Sequence, residues 1–306
     1  TSENYFLAGR SLTWPVIGAS LFASNIGTEH LVGLAGDAHR VGLVAGGFEW
    51  MACLCLIILA VVFVPQYLRT RIYTIPEFLE RRFDLKTRTL AAILFLIQRG
   101  LAAGITIFAP SIILSAVLGW DLKTLNIIIG ILVIIYTVSG GTKAVNVTQK
   151  QQMFVIMLGM FMAFFFILGY LPEDINFNKA LKIAGASEKL NILNFDFDTS
   201  SRYTFWSGIT GGMFLMLSYF GTDQSQVQRY LSGKSVRESQ LGLIFNGLLK
   251  IPMQFFILLV GVMVFVFYQY NPSPLNFNPA ASAAVLDSEY AEEYEELVMA
   301  HGGLEQ

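Results

Sequence analysis

Charged side chains are scarce in this sequence. Asp, Glu, Lys and Arg make up 14% of the 306 residues, where soluble domains carry roughly a quarter. Hydrophobic residues reach 54%, with 25 Phe. In water such a chain would expose apolar area far beyond the few hundred Å² normally tolerated, so a soluble globule is excluded. Cysteine is nearly missing as well. Cys53 and Cys55 stand two apart in an apolar run, a spacing that suits neither a disulfide nor tetrahedral zinc. They read as reduced packing residues, and a disulfide-built secreted module is excluded with them. A net charge of −2 gives no footing for nucleic acid. The sequence also offers no nucleophile–base pair, metal cluster or phosphate loop, so an enzyme is the poorest reading.

Long apolar runs are what the chain has in plenty. A helix needs about 20 such residues to cross hydrocarbon, and seven stretches qualify, at about 14–36, 43–66, 89–118, 124–141, 151–171, 204–227 and 241–269. Barrel strands would alternate apolar and polar residues, and nothing here does. The expectation is an all-α, polytopic membrane protein of about seven transmembrane helices.

Lys and Arg set the direction of the spans. One set of connections carries twelve: Arg10, Arg69, Arg71, Arg81, Arg82, Lys86, Arg88, Lys143, Lys150, Arg229, Lys234 and Arg237. The other carries six: Arg40, Lys123, Lys179, Lys182, Lys189 and Arg202. The twelve-charge side is expected in the cytoplasm, so the first span runs outward. Residues 1–270 form the transmembrane bundle in this reading. Residues 271–306 form an acidic extracytoplasmic loop, with SEYAEEYEELV as a short amphipathic helix. The first residue is Thr, and AHGGLEQ stops inside a charged segment. The chain is read as part of a longer one, in a cell (inner or plasma) membrane.

Ionisable groups in mid-membrane are costly unless they face a cavity or a partner, which makes each a functional candidate. The first run, GASLFASNIGTEHLVGLAG, gathers Ser24, Asn25, Gly27, Thr28, Glu29 and His30 near its centre. A helix that unwinds there frees carbonyls around Ala23 and Ile26, which suit a small hard cation. Gly27 and Ser24 alone are equally explained by close helix packing. Glu49 starts the second run beside Trp50 and is either functional or an interfacial carboxylate. Lys250 stands nine residues beyond Leu241, about 13 Å deep at 1.5 Å per residue, unless it snorkels to an interface. Arg99 is read as a structural ion pair or an interfacial site. In the sixth run Gly208, Gly211 and Gly212 loosen the start. Tyr219, Phe220, Gly221, Thr222, Asp223 and Gln224 then form a polar-aromatic patch fit for a hydroxyl-bearing solute, or an ordinary aromatic belt. Broken first and sixth helices mark transporters built from inverted five-helix repeats.

Several segments in order, YFLAGRSLTWPVIGASLFASNIGTEHLVGLAG, GGFEWM, IYTIPEFLERRF, IIYTVSGGTKAV and DQSQVQRYLSGKS, resemble the sodium:solute symporter family, most of all its sodium/sugar (glucose) cotransporter branch. The resemblance covers about residues 4–270 and implies the leucine-transporter-like inverted-repeat bundle. It also implies that the backbone carbonyls of Ala23 and Ile26 bind sodium, the coupling ion, with no other cofactor. Asn25, His30, Glu49 and Lys250 are implied to hydrogen-bond a sugar, and Tyr219 to stack on it as an inner gate. Phe220 stands where relatives often have Trp. Met216 departs from the pattern, standing where sugar-transporting relatives have Asn or Thr. Gln149 departs too, falling where many have an acidic residue near the cation route. The implied function is sodium-coupled symport that imports a sugar or sugar-like solute by alternating access. Two alternatives are a sodium symporter for a carboxylate, vitamin or amino acid, and a symporter-like membrane sensor domain of a signalling protein. The expected partners are sodium, a small solute and the lipid bilayer.

Overall fold

Capping residues and proline decide where the apolar runs become helices. The computed structural model describes residues 2–27, 29–198 and 200–304. Helix α1 (Ser2–Leu7) leads into α2 (Trp14–Asn25), which carries Pro15 in its first turn, where a missing N–H costs nothing. Helical geometry stops at Ile26, with φ −98° and ψ 89°. Thr28, part of the polar cluster noted above, lies outside the described residues. The chain resumes as a wide π-helical turn over Glu29–Leu34 and continues as α3 (Ala35–Val41).

The second run contains α4 (Gly47–Ile58) and α5 (Val64–Arg69), parts of one apolar span, Leu43–Arg69. Thr74 caps the short α6 (Ile75–Arg82) and Asp84 caps α7 (Leu85–Leu118), each accepting a backbone N–H. Asp121 does the same for α8 (Leu122–Gly169), which is 48 residues long. At 1.5 Å per residue that is about 72 Å, over twice the hydrocarbon thickness. The runs at 124–141 and 151–171 are therefore joined by helical backbone, where a loop carrying Lys143 and Lys150 was expected. Residues 139–150 hold two glycines but no proline, and a glycine weakens a helix by only about 1 kcal/mol.

Helix α9 (Phe177–Ala186) precedes the sixth run, which opens with α10 (Phe205–Ser207) and a π-helical turn over Gly208–Gly212. There follow α11 (Met213–Gly221), a break at Thr222 and Asp223, and α12 (Gln224–Leu231). Helix α13 (Val236–Tyr268) is the seventh run. The acidic segment, expected as a loop with one short helix over SEYAEEYEELV, holds two helices, α14 (Pro279–Leu286) and α15 (Ala291–Leu304), the second overlapping that stretch. Among the described residues the fold is all-α, apart from an isolated bridge between Leu12 and Gly233.

Helix α13 is the hub and packs on α2, α3, α4 and α8. Its crossing with α2 is close because glycines meet large side chains: a Cβ on Gly18 would collide with Phe245, and one on Gly242 with Ile17. Small residues at such crossings let backbones approach where lipid removes the hydrophobic drive. The main core joins Ile17 and Leu21 of α2, Leu56 of α4, Phe220 of α11 and Leu243 of α13. By contrast, α7 leaves Leu94, Leu96, Ile97 and Leu101 exposed, a surface suited to hydrocarbon rather than water.

Candidate functional site

The two interrupted helices meet at one cavity of about 370 Å³. Its wall is built from Ser24, Asn25 and Gly27 at the end of α2, with Glu29 and His30 beyond the break. Glu49, then Gln98 and Arg99 of α7, and Met216, Tyr219 and Asp223 also line it. Asn25, His30, Glu49 and Tyr219, chosen from sequence, thus converge on one space. Lys250 does not line it and sits behind Glu49. Ala23 and Ile26 are at the break, outside the cavity wall.

The break in α2 follows from its hydrogen bonds. The last helical bond runs from the Ile26 N–H to the Phe22 carbonyl, at 3.0 Å. The N–H groups of His30 and Leu31 then both turn to the Gly27 carbonyl, at 3.1 and 3.0 Å. Among the described residues no backbone N–H donates to the Ile26 carbonyl, which His30 bypasses, and the Ala23 carbonyl lies one place past the last helical bond. Carbonyls at a helix end need other partners, and a hard cation is one that such oxygens satisfy. Asn25 is buried, and its Nδ2 has no hydrogen-bond partner among the described residues.

Glu49 is the electrostatic centre. Its Oε2 lies 2.8 Å from Lys250 Nζ and accepts a hydrogen bond from Gln254 Nε2 at 3.1 Å. Its Oε1 lies 3.5 Å from His30 Nε2. Lys250 is 1% exposed and ends on this carboxylate, so the snorkelling reading does not hold. Its ammonium also sits 5.4 Å from the centroid of the Phe220 ring. Asn246, Lys250 and Gln254 follow one another at intervals of four and are all buried, which places them on one face of α13. The role of Gln254 was missed in sequence. The signal was its position one turn after Lys250.

A second set of contacts ties the two breaks together. Gln226 Nε2 donates to Tyr219 Oη at 2.8 Å, and Ser24 Oγ donates to Gln226 Oε1 at 3.1 Å. The chain of contacts runs from α11 through α12 to α2. Arg99 forms an ion pair with Asp223, so the structural-pair reading of Arg99 is the one observed. Asp223, only 4% exposed, also caps α12 by accepting the Ser225 N–H at 2.8 Å. Phe220 is fully buried in the core, away from the cavity. Gln149 accepts from Ser20 Oγ at 2.7 Å, and Arg229 Nε donates to the same hydroxyl at 3.1 Å. Met216 lines the cavity.

An all-α membrane bundle with two interrupted helices facing one polar cavity has the architecture of secondary transporters. The chain belongs to the sodium:solute symporter family, whose profile matches residues 5–300. It is 32% identical over 277 residues to a sodium/glucose cotransporter of Vibrio parahaemolyticus, covering 87% of this chain and 50% of that one. It is 35% identical over 288 residues to sodium/glucose cotransporter 1 of Oryctolagus cuniculus, covering 88% and 43%. A human sodium/iodide cotransporter is 32% identical over 276 residues, covering 88% and 41%. Among solved structures, a Na+-coupled sialic acid symporter in a substrate-bound, outward-open state shares the fold, with a TM-score of 0.84 and 24% identity. That match covers 94% of this chain and 60% of the other. The chain spans about half the length of the curated relatives it matches. It is a multi-pass membrane protein, and its named relatives are cotransporters rather than enzymes.

Proposed function

We propose that the chain forms one half of a sodium-coupled symporter that imports a sugar or sugar-like neutral solute by alternating access. The charge balance of the cavity carries this reading. Its charges are already matched: Glu49 is paired with Lys250 behind the wall, and Arg99 faces Asp223. Glu29 adds a further carboxylate to the wall. A cavity with no surplus positive charge favours a neutral solute accompanied by a cation. An anion would have to break one of these pairs first.

In this proposal sodium rests on the carbonyls of Ala23 and Ile26, with the remaining ligands supplied by other parts of the protein. The ion fixes the unwound geometry, which aims Asn25 and His30 at the solute. Glu49, held by Lys250 and Gln254, accepts hydrogen bonds from solute hydroxyls, and Tyr219 covers a C–H face of the ring. Each sodium moving inward gains about 2.3 kcal/mol per 100 mV of membrane potential. Coupling needs only that ion and solute favour the same conformation.

A carboxylate or other anion is the second reading, since the named relatives include an iodide cotransporter. Uptake of labelled glucose, galactose, inositol and small carboxylates into proteoliposomes holding the full-length protein, under an inward sodium gradient, tests both. Sodium-driven entry of a hexose or inositol is expected. Entry of a carboxylate with no competition from any of the three neutral solutes would overturn the sugar reading.

A further inference from the structure

Arg229 lies outside the proposed transport site and has no counter-charge. It is half-buried near the end of α12, on the side that the Lys and Arg bias assigns to the cytoplasm. Its Nε donates to Ser20 Oγ at 3.1 Å, and that hydroxyl donates to Gln149 Oε1 at 2.7 Å. Both of these neighbours are neutral. Among the described residues no carboxylate pairs with Arg229, and its Nη groups donate to none of them. The ionisable groups near enough to act on it are the Tyr219 phenol and Arg99, itself a cation. Asp223, the carboxylate nearest in sequence, is taken by Arg99. An arginine does not shed its proton at physiological pH, and a charge withdrawn from water calls for an opposite one.

A cavity of about 340 Å³ adjoins this arginine, between α1, α8 and α12. Arg229 lines it together with Ser225, Gln228, Thr137, Thr142 and Phe6, and among the described residues its wall includes no acidic side chain. Gln228 Nε2 and Thr142 Oγ1 both donate to the Phe6 carbonyl, which fixes α1 against α8 and α12 and so shapes the wall. Ser225 Oγ is buried there without a hydrogen-bond partner. The space therefore offers one unmatched cation, one unused hydroxyl and further neutral polar groups. A single negative charge balances that set. Phosphate or a dicarboxylate would bring a surplus that hydroxyls cannot neutralise.

We propose that this cavity binds a small monovalent anion of the chloride class, held by the Arg229 guanidinium and the Ser225 hydroxyl. Ser20 stands three residues before Ala23, about 4.5 Å along the axis of α2. On the sodium reading above, the anion thus also offsets a positive charge that would oppose the cation. Its test leaves sodium out, so the outcome does not depend on that reading. Full-length protein in phosphatidylcholine nanodiscs is unfolded thermally while potassium chloride replaces potassium morpholinoethanesulfonate at constant ionic strength. Chloride in large excess over its dissociation constant is expected to raise the unfolding midpoint by about 2 °C. The rise should vanish in Arg229→Gln and survive in Arg82→Gln, whose exposed charge lies outside the cavity. Ser225→Ala breaks no hydrogen bond of its hydroxyl to the protein, so it should fold normally. It should displace the curve of midpoint against chloride about fivefold toward higher concentration, the worth of one hydrogen bond. A midpoint indifferent to chloride, a rise that Arg229→Gln keeps or Arg82→Gln loses, or a curve that Ser225→Ala leaves in place would each overturn the proposal.

Discussion

The Lys250 ammonium lies 2.8 Å from Glu49 Oε2, with the lysine side chain 1% and the glutamate side chain 14% exposed. Two opposite charges removed from water hold each other in place, and leaving one alone costs about 3–5 kcal/mol. Lys250→Met and Glu49→Gln are each expected to lower the unfolding midpoint clearly. The double variant should recover part of the lost stability without recovering uptake. Wild-type midpoints for both single variants would show that the pair does not hold α4 to α13.

The ion pair between Arg99 and Asp223 links α7 to the break between α11 and α12. Asp223→Asn keeps an acceptor for the Ser225 N–H and removes only the charge, so it separates pairing from capping. Arg99→Gln and Asp223→Asn should show a coupling energy of about 1–3 kcal/mol in a double-mutant cycle, with uptake reduced in both. Simple additivity would mean that the contact contributes nothing to the site.

Gly261 faces the Ala35 carbonyl so closely that a Cβ could not fit, whereas Gly100 has open space around it. Gly261→Ala should destabilise the protein by about 1–3 kcal/mol, as overpacking does. Gly100→Ala, in the interior of α7, should be neutral or mildly stabilising. Thermal unfolding of the two variants side by side checks this, and equal midpoints would contradict the α3–α13 packing.

Hydrogen bonds from Thr87 hold the Asp84 carboxyl below its ordinary range at the start of α7. Because the folded state lowers this pKa, its stabilising effect is complete above the unfolded value and fades as pH falls through the folded one. Asp84→Ala should therefore lower the unfolding midpoint at neutral pH. The deficit should shrink below about pH 4, near the ordinary aspartate value. Asp84→Asn, which caps without titrating, should show no such fading. A deficit that stays constant into acid would contradict the capping role.

Much of this arrangement was legible in the residues. Polar groups from Ser24 to His30 inside an apolar run cannot all face lipid, so the break in α2 could be placed to within a residue or two. Lys250 announced itself by its depth. Partners distant in sequence left no such trace. Nothing in the neighbourhood of Arg99 points to Asp223, because only the fold brings α7 to the break before α12. Gln254 was hidden for a different reason, since an amide in an apolar helix is noticed only once its neighbour one turn earlier has a carboxylate to share. The helical join across residues 139–150 was misread because polar residues with Lys143 and Lys150 interrupt the apolar run, yet without proline they do not compel a turn. Arg229 counted only as one charge on one side until its described neighbours were seen to include no carboxylate.

The central claim is that the loosened backbone after Phe22 clasps sodium. Amide hydrogen exchange across residues 26–31 of the full-length protein, in sodium and in choline at equal ionic strength, tests it most directly. With sodium at about ten times its dissociation constant, exchange at Gly27 to Leu31 should slow by about tenfold, and solute should slow it further only when sodium is present. Identical exchange in sodium and choline would contradict the claim.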